Sequence, residues 1–363
     1  MATAPCVEEA GASLGWPANR VKQWTVEDID RTPSRLDQVP DEEERTDRFL
    51  ACELARNLAR DLLSGNDAGD ETSSSVQVLA SYLIQLFYMH RSLRQVSKKE
   101  VAVAALFLAC KVADVPRRTK DVMRVFTQQG IKSEPELRED EQKELLKRIL
   151  KIEFLLLRIV QFDFDLVVPL TAVDRKTLQD KNKDGGHIVG LEDMHKSIKV
   201  DQLAERLLTR LAQNQLFRSK CTTSRPLDEA KALKTKVLAY TQNFLADAFM
   251  GMAPVVIAPR VVAASALVMA VRYCRREMTP QEVGKLLVEE DTNMTQSDLE
   301  LGVQEIFKVY KIKKKLEKPK EEAKAAEAAG GATAGTSGGG SPKKRPASQD
   351  HPEAPAQRQS ATE

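Results

Sequence analysis

Two charged side chains, Lys111 and Glu153, stand where charge is expensive. Lys111 closes a run, Val101 to Cys110, in which every residue is apolar, and Glu153 interrupts Ile149 to Val160, with Ile149, Leu156, Leu157 and Val160 at nearby helical positions. A carboxylate emerging from such a face costs several kcal/mol if it is left unpaired, so Glu153 requires a partner. Two kinds of chemistry satisfy it. One is an ion pair internal to the chain. The other is a set of fixed charges that hydrogen-bond the main chain of a second protein, while apolar neighbours supply contact area. Covalent catalysis has less to work with. No GxGxxG, GxxxxGK[ST], GxSxG or HExxH pattern and no paired histidines occur in the 363 residues. His90, beside Phe87 to Met89, reads as a helix-surface or core residue. The pattern is that of a helical module that binds a partner, not of an enzyme.

The elements that must hold this pair are helices. Ser97 with Glu100 has the form of a capping box, which places a helix start near Lys98, and a helix apolar on every side is buried on every side. A second segment matches the first at an offset of 161 residues: Val262, Ala263, Ala266, Leu267 and Ala270 repeat Val101, Ala102, Ala105, Leu106 and Ala109, and Arg272 falls on Lys111. Pro40-Asp41 opens a helix through about Leu63, with acidic residues 41 to 44 in its dipole-complementing first turn. Gly65 to Asp70 breaks it. Further helices are predicted at about 73–90, 98–113, 118–128 and 141–161, with a loop at Gly130 to Pro135. An exposed Lys-, Asp- and Gly-rich insertion at 176–198 precedes an amphipathic helix at about 200–217. Helices at about 231–250, 260–275, 280–289 and 298–315 complete the series. Thr279-Pro280 with Glu282, and Ser297 with Glu300, mark two of their starts. No period-two stretch reads as a strand, so the fold class expected is all-α.

Composition narrows the class. The chain is 42% hydrophobic and only 5% aromatic, with room for two domains. The net charge of +2 is split: residues 311–363 hold 11 Lys or Arg against 7 Asp or Glu, which leaves −2 for the rest. The folded part is thus not a basic nucleic-acid binder, and no direct nucleic-acid contact is expected. The five cysteines, at 6, 52, 110, 221 and 274, never stand in CxxC spacing. No disulfide framework or metal site is readable, and reduced thiols in cytosol or nucleus are expected, with Cys52 and Cys110 as small core residues. Glu8 and Glu9 do not fit a signal peptide. The longest uncharged run, Thr72 to His90, carries four serines and two glutamines, so no membrane span is expected.

Several motifs together resemble the first box of the cyclin family, in its transcription-type K, T and L classes and the K class most closely. They are Trp24 with Thr32-Pro33-Ser34, the Phe87-Tyr88-Met89 triplet, FLACKVADVPRR from Phe107, Lys120-Asp121-Val122, and IEFLLLRIVQFDF from Ile152. The resemblance covers about 24–168, and more weakly a second box at about 233–310. It implies two tandem cyclin-box helical bundles: a flexible 1–23, a first box at 24–168 with a preceding helix, a connector with one helix at 169–232, a divergent second box at 233–316 and a disordered tail at 317–363. It also implies a role. Lys111 and Glu153 match the Lys–Glu pair that hydrogen-bonds a cyclin-dependent kinase just before its C-helix, and Val112, Leu157 and Phe162 match positions bordering that contact, with simple core packing as the competing reading of each. Family members commonly carry two acids after the hydrophobic residue that follows the lysine. Here the chain reads Val112-Ala113-Asp114, so Asp114 stands for one acid and the other is missing.

What the resemblance implies, then, is a non-enzyme that activates one. The expected partner is a cyclin-dependent kinase in a heterodimer, which reaches the RNA polymerase II machinery through phosphorylation of the polymerase's C-terminal repeat domain; no cofactor is implied. A nuclear location is expected, with Lys343, Lys344 and Arg345 beside prolines as a short import signal and Ser341-Pro342 as a site for proline-directed kinases. The tail from Lys318 onward is too rich in Ala, Gly, Ser, Pro and Lys to bury a core. Two other classes compete. A TFIIB-type general transcription factor also uses duplicated cyclin boxes, but expects an N-terminal zinc ribbon and a basic core. A helical scaffold that binds without activating has only Ala113, in place of an acid, in its favour.

Overall fold

The computed structural model describes residues 24–64, 70–130, 138–162, 200–215, 217, 227–274, 278–290 and 294–330. By its internal contacts the chain divides into Met1–Lys315 and Leu316–Glu363. Twelve α-helices and no strands occur among the described residues. They are α1 (Pro33–Leu36), α2 (Asp41–Leu63), α3 (Asp70–His90), α4 (Lys98–Val112), α5 (Thr119–Gly130), α6 (Glu139–Ile159), α7 (Val200–Gln213), α8 (Leu227–Ala248), α9 (Ala253–Val256), α10 (Pro259–Cys274), α11 (Pro280–Glu290) and α12 (Gln296–Gly330).

The uniform apolarity of α4 is resolved by enclosure. Every residue from Val101 to Cys110 is buried, with α2, α3, α5 and α6 packed around the helix. The repeated segment behaves alike: Val261 to Val268 of α10 are all buried, and α7, α8, α9 and α11 pack against it. The helix that the sequence places in the connector, α7, therefore lies on the central helix of the second bundle. Close approach of α12 to α10 depends on a glycine, because a methyl group at Gly302 would overlap the Ser265 hydroxyl, which donates to Leu299 O at 3.3 Å.

Both bundles are tied to α2. Arg45 Nη1 meets Glu305 Oε2 at 2.9 Å, Arg56 Nη1 meets Asp247 Oδ1 at 3.4 Å, and Lys315 Nζ meets Glu42 Oε1 at 2.5 Å. Beside these, the buried Gln85 of α3 donates to Met250 O at 2.8 Å. Glu44, read from the sequence as a first-turn dipole partner, is fully buried. Its carboxylate accepts from Arg48 Nη2 at 2.6 Å and from Thr32 Oγ1 at 2.9 Å, and Arg48 donates onward to Tyr88 O at 2.6 Å and Gln85 O at 3.1 Å. Burial pushes the Arg48 pKa down and the Glu44 carboxylate opposes it. Ser34 completes the attachment of the N-terminal segment by accepting from Leu93 N at 3.1 Å.

Helix ends differ from the sequence expectation in three places. Ser97 precedes α4 but makes no side-chain cap, and Glu100, the other member of the expected box, pairs with Arg148 at 3.0 Å. The last helix is capped two residues early by Thr295 and Asp298, whose reciprocal bonds are 2.9 and 3.1 Å, while Glu300 accepts from Gln296. That helix also runs on to Gly330, past the start expected for the tail, in keeping with the Ala, Glu and Lys content of 320–329. The expected Thr279–Glu282 box is present, with bonds of 2.8 and 3.2 Å.

Three C-termini close with paired reverse bonds around a left-handed residue that is not glycine. After α1, Gln38 (φ 62°) donates to Arg35 O and Val39 to Ser34 O; after α4, Asp114 (φ 55°) donates to Lys111 O and Val115 to Cys110 O; after α6, Gln161 (φ 53°) donates to Arg158 O and Phe162 to Leu157 O. At the last of these Phe162 is left-handed as well, at φ 59°.

Two outcomes follow for stability in urea. Arg48→Met alone should cost about 3–5 kcal/mol by stranding Glu44, and Arg48→Met with Glu44→Leu should cost less than the single change. Gln161→Gly should stabilise by about 1 kcal/mol, since glycine enters the left-handed region without strain; a loss of stability would show that the glutamine side chain holds the turn.

Candidate functional site

The cap after α4 puts Lys111 in the last turn of a buried helix, where the chain surfaces. Its side chain is 44% exposed, and Nζ reaches Glu153 Oε1 on α6 at 2.5 Å while lying 4.0 Å from the Phe107 ring centre. Glu153 is 8% exposed. The partner that the apolar setting of Glu153 requires is thus Lys111. An ammonium has three donors, and this one, half in solvent, has not spent them all on one oxygen. Among the described residues Glu153 Oε2 accepts nothing further. The pair is a preoriented donor and acceptor at the surface, which is what main-chain recognition needs.

Around it lies apolar surface. Val112 and Leu157 are half-buried, and Phe162 is 62% exposed. Sequence reasoning singled out those three and missed two more on the same helix: Phe154, 55% exposed, and Leu150, 41% exposed. The signal was there in the spacing. Positions 150, 154 and 157 form an i, i+4, i+7 stripe beside the core stripe of Ile149, Ile152, Leu156 and Val160. Leu150, Phe154 and Phe162 make up half of the large hydrophobic side chains that are exposed among the described residues.

The backbone supports the same surface at a cost. An apolar residue following a left-handed cap ordinarily packs back on its own helix, as Val39 does at 5% exposure. Phe162 occupies that position after α6 and stays in solvent, on a backbone whose two consecutive left-handed residues each cost on the order of 1 kcal/mol. Asp114 is the left-handed residue of the α4 cap, a conformation that aspartate tolerates better than most residues; its side chain is exposed and enters no ion pair among the described residues.

The structure therefore brings Lys111 at the end of α4, followed by Val112 and Asp114, to Glu153 of α6, whose last turns hold Leu157 and whose C-terminal cap is followed by Phe162. Ser341, Lys343, Lys344 and Arg345 lie outside the described residues. Arg272, the counterpart of Lys111 in the second bundle, turns its Nη1 to Met278 O at 3.3 Å and so closes its own loop. Among the described residues no three His, Cys, Asp or Glu side chains group closely enough to hold a metal ion, and no helix is long and apolar enough to cross a membrane.

Residues 53–165, which span α4, Lys111 and Glu153, match the family described as cyclin, N-terminal domain. Cyclin pch1 of Schizosaccharomyces pombe is 26% identical over 174 residues, 46% of this chain and 48% of that protein. Cyclin-K of Homo sapiens is 27% identical over 167 residues, 44% of this chain and 26% of that protein, and Cyclin-T1 of Bos taurus is 27% identical over 166 residues, 44% and 21%. The matches span about half or less of the length of these relatives. A chain from the structure of the CAK complex of Chaetomium thermophilum bound to ATP-gamma-S has a TM-score of 0.45 at 13% identity, over 79% of this chain and 76% of that one. Residues 53–165 thus resemble the cyclin N-terminal domain, and over about that region the chain, all-α among its described residues, is similar to cyclins K, T1 and pch1.

Proposed function

We propose that this protein is a regulatory subunit that binds and activates a cyclin-dependent kinase, one of the transcriptional class that phosphorylates the RNA polymerase II C-terminal repeat domain. The observation that carries the reading is the Lys111–Glu153 pair, preoriented at 2.5 Å, half in solvent and rimmed by Leu150, Phe154, Leu157 and Phe162. In this reading the ammonium donates to, and the carboxylate accepts from, main-chain groups of the kinase segment before its C-helix. The apolar rim supplies area, Val112 borders the contact, and Asp114 does the work of one of the two acids usual in the family. Docking rotates the kinase C-helix inward, so that its glutamate pairs with the ATP-binding lysine and the activation loop opens. The chemistry belongs to the kinase, and this chain supplies orientation. The first box is assigned to 24–168 and the second, divergent one to 233–316, with 169–232 between them and the tail after them.

The test is recovery of the kinase. Tagged protein purified from its native cells should bring down a cyclin-dependent kinase identifiable by mass spectrometry, and Lys111→Ala with Glu153→Ala should cut that recovery by at least about tenfold, the loss of a central anchor pair. A kinase bound equally well by the double variant would move the contact elsewhere, and a bound but inactive kinase would favour a non-activating scaffold. A nuclear location is assigned to the tail. The change of Lys343, Lys344 and Arg345 to alanine in the full chain should shift it from nucleus to cytoplasm in fluorescence imaging, and phosphate on Ser341 should appear by mass spectrometry only when the kinase is bound and active.

A further inference from the structure

Away from α4 and α6, a second surface combines rings with unpaired cations. Tyr240 and Phe244 on α8 and Tyr273 at the end of α10 form a ladder: the Tyr240 and Tyr273 centroids are 4.6 Å apart, Phe244 and Tyr273 6.5 Å, and Phe244 and Tyr310 of α12 5.7 Å. Tyr273 is 60% exposed, and Phe307, one turn before Tyr310, is 51% exposed. Rings that only filled a core would not leave this much area in water.

The exposed charges beside the ladder that lack an ion-pair partner among the described residues include three lysines. Lys236 lies one turn before Tyr240 on the same side of α8, and Lys311 and Lys314 follow Phe307 at i+4 and i+7. All three are exposed, and none is ion-paired within the described residues; Lys311 only covers the Phe307 ring, at 5.5 Å. The carboxylate beside the ladder, Asp247, is already saturated by Tyr310 OH at 2.7 Å, Lys313 at 2.9 Å and Arg56 at 3.4 Å, so it neither repels an acid nor recruits a base.

We propose that this face of the second bundle docks a short acidic peptide segment of a partner protein, with its aromatic or other apolar side chains on Tyr273 and Phe307 and its carboxylates on Lys236, Lys311 and Lys314. Complementarity selects the occupant. Exposed rings take apolar side chains, and three unpaired ammonium groups at turn spacing take scattered acids. A nucleic acid asks for more, a continuous basic track, whereas Lys313 and Lys315 in the same run are already paired with Asp247 and Glu42, which interrupts it. The surface uses neither Lys111 nor Glu153, so it stands or falls apart from the kinase reading.

The experiment is fluorescence anisotropy on the full chain. Its probes are fluorescein-labelled peptides of about 15 residues with glutamates interspersed by phenylalanine, leucine and proline, the same peptides with lysine for glutamate, and an oligothymidine of equal length. The acidic peptides should bind at micromolar levels, weaken about tenfold from low to high salt, and lose at least about tenfold in Tyr273→Ala with Lys311→Glu and Lys314→Glu. Lys111→Ala should leave that binding unchanged, and circular dichroism should show the triple variant folded. Absence of acidic-peptide binding below millimolar concentration, binding that ignores the triple change, or preference for the basic peptide or the oligothymidine would overturn the proposal.

Discussion

A helix with no polar face has to be enclosed, and α4 imposes that on everything around it. Ten consecutive apolar residues leave no side for solvent, so α2, α3, α5 and α6 are required as walls, and each then needs an apolar stripe facing inward. Enclosure also fixes where the helix can end. A polar residue is admissible only where the walls stop, and Lys111 stands there, with the cap at Asp114 turning the chain away one turn later. The position of the candidate site is thus a consequence of burial, since the first charge the core permits is also the first that a partner can reach.

The protein contains two ion pairs of opposite character, and the contrast separates structure from function. Arg48 and Glu44 are both at or below 1% exposure, and every charge-bearing atom on which their pairing depends is met inside the fold by Thr32, Gln85 or Tyr88. Such a pair gains little net stability but is costly to break, so it specifies one arrangement of the N-terminal segment, α2 and α3. Lys111 and Glu153 are asymmetric. One member is buried enough to be held still and the other is exposed enough to be shared. A fully buried pair has nothing left to offer a partner, and a fully exposed one has no fixed direction.

How much of this could be read in advance follows from what sequence encodes locally. Helix existence and burial of α4 and α10 come from unbroken apolar runs, and the α2 start at Asp41 comes from proline and acidic residues, so those were legible. Caps were legible in part: Thr279 found Glu282, whereas Ser97 makes no cap and Glu100 pairs with Arg148, 48 residues away. Glu44 looked like a solvent-facing first-turn acid because nothing local reveals that Thr32 and Arg48 converge on it. At the site, Lys111 and Glu153 were legible because charge in an apolar run is anomalous. Phe154 and Leu150 were legible only as an i, i+4 stripe with Leu157, one step off the core stripe, a signal fainter than a charge among apolar residues. The left-handed turn at Gln161 and Phe162 was hidden for a related reason, since neither residue is the glycine that ordinarily announces such a turn.

The two bundles repeat one arrangement and diverge at the corresponding helix end. After α4, the lysine is met by an acid from a different helix; after α10, the exposed Arg272 donates instead to the carbonyl of Met278, six residues on. The second bundle's exposed features lie instead on α8, at the end of α10 and on α12, where rings and lysines replace the donor–acceptor pair. Repetition of the central helix therefore preserves the packing problem and its solution, while the residue that ends each helix decides which side of the bundle is left with something to bind.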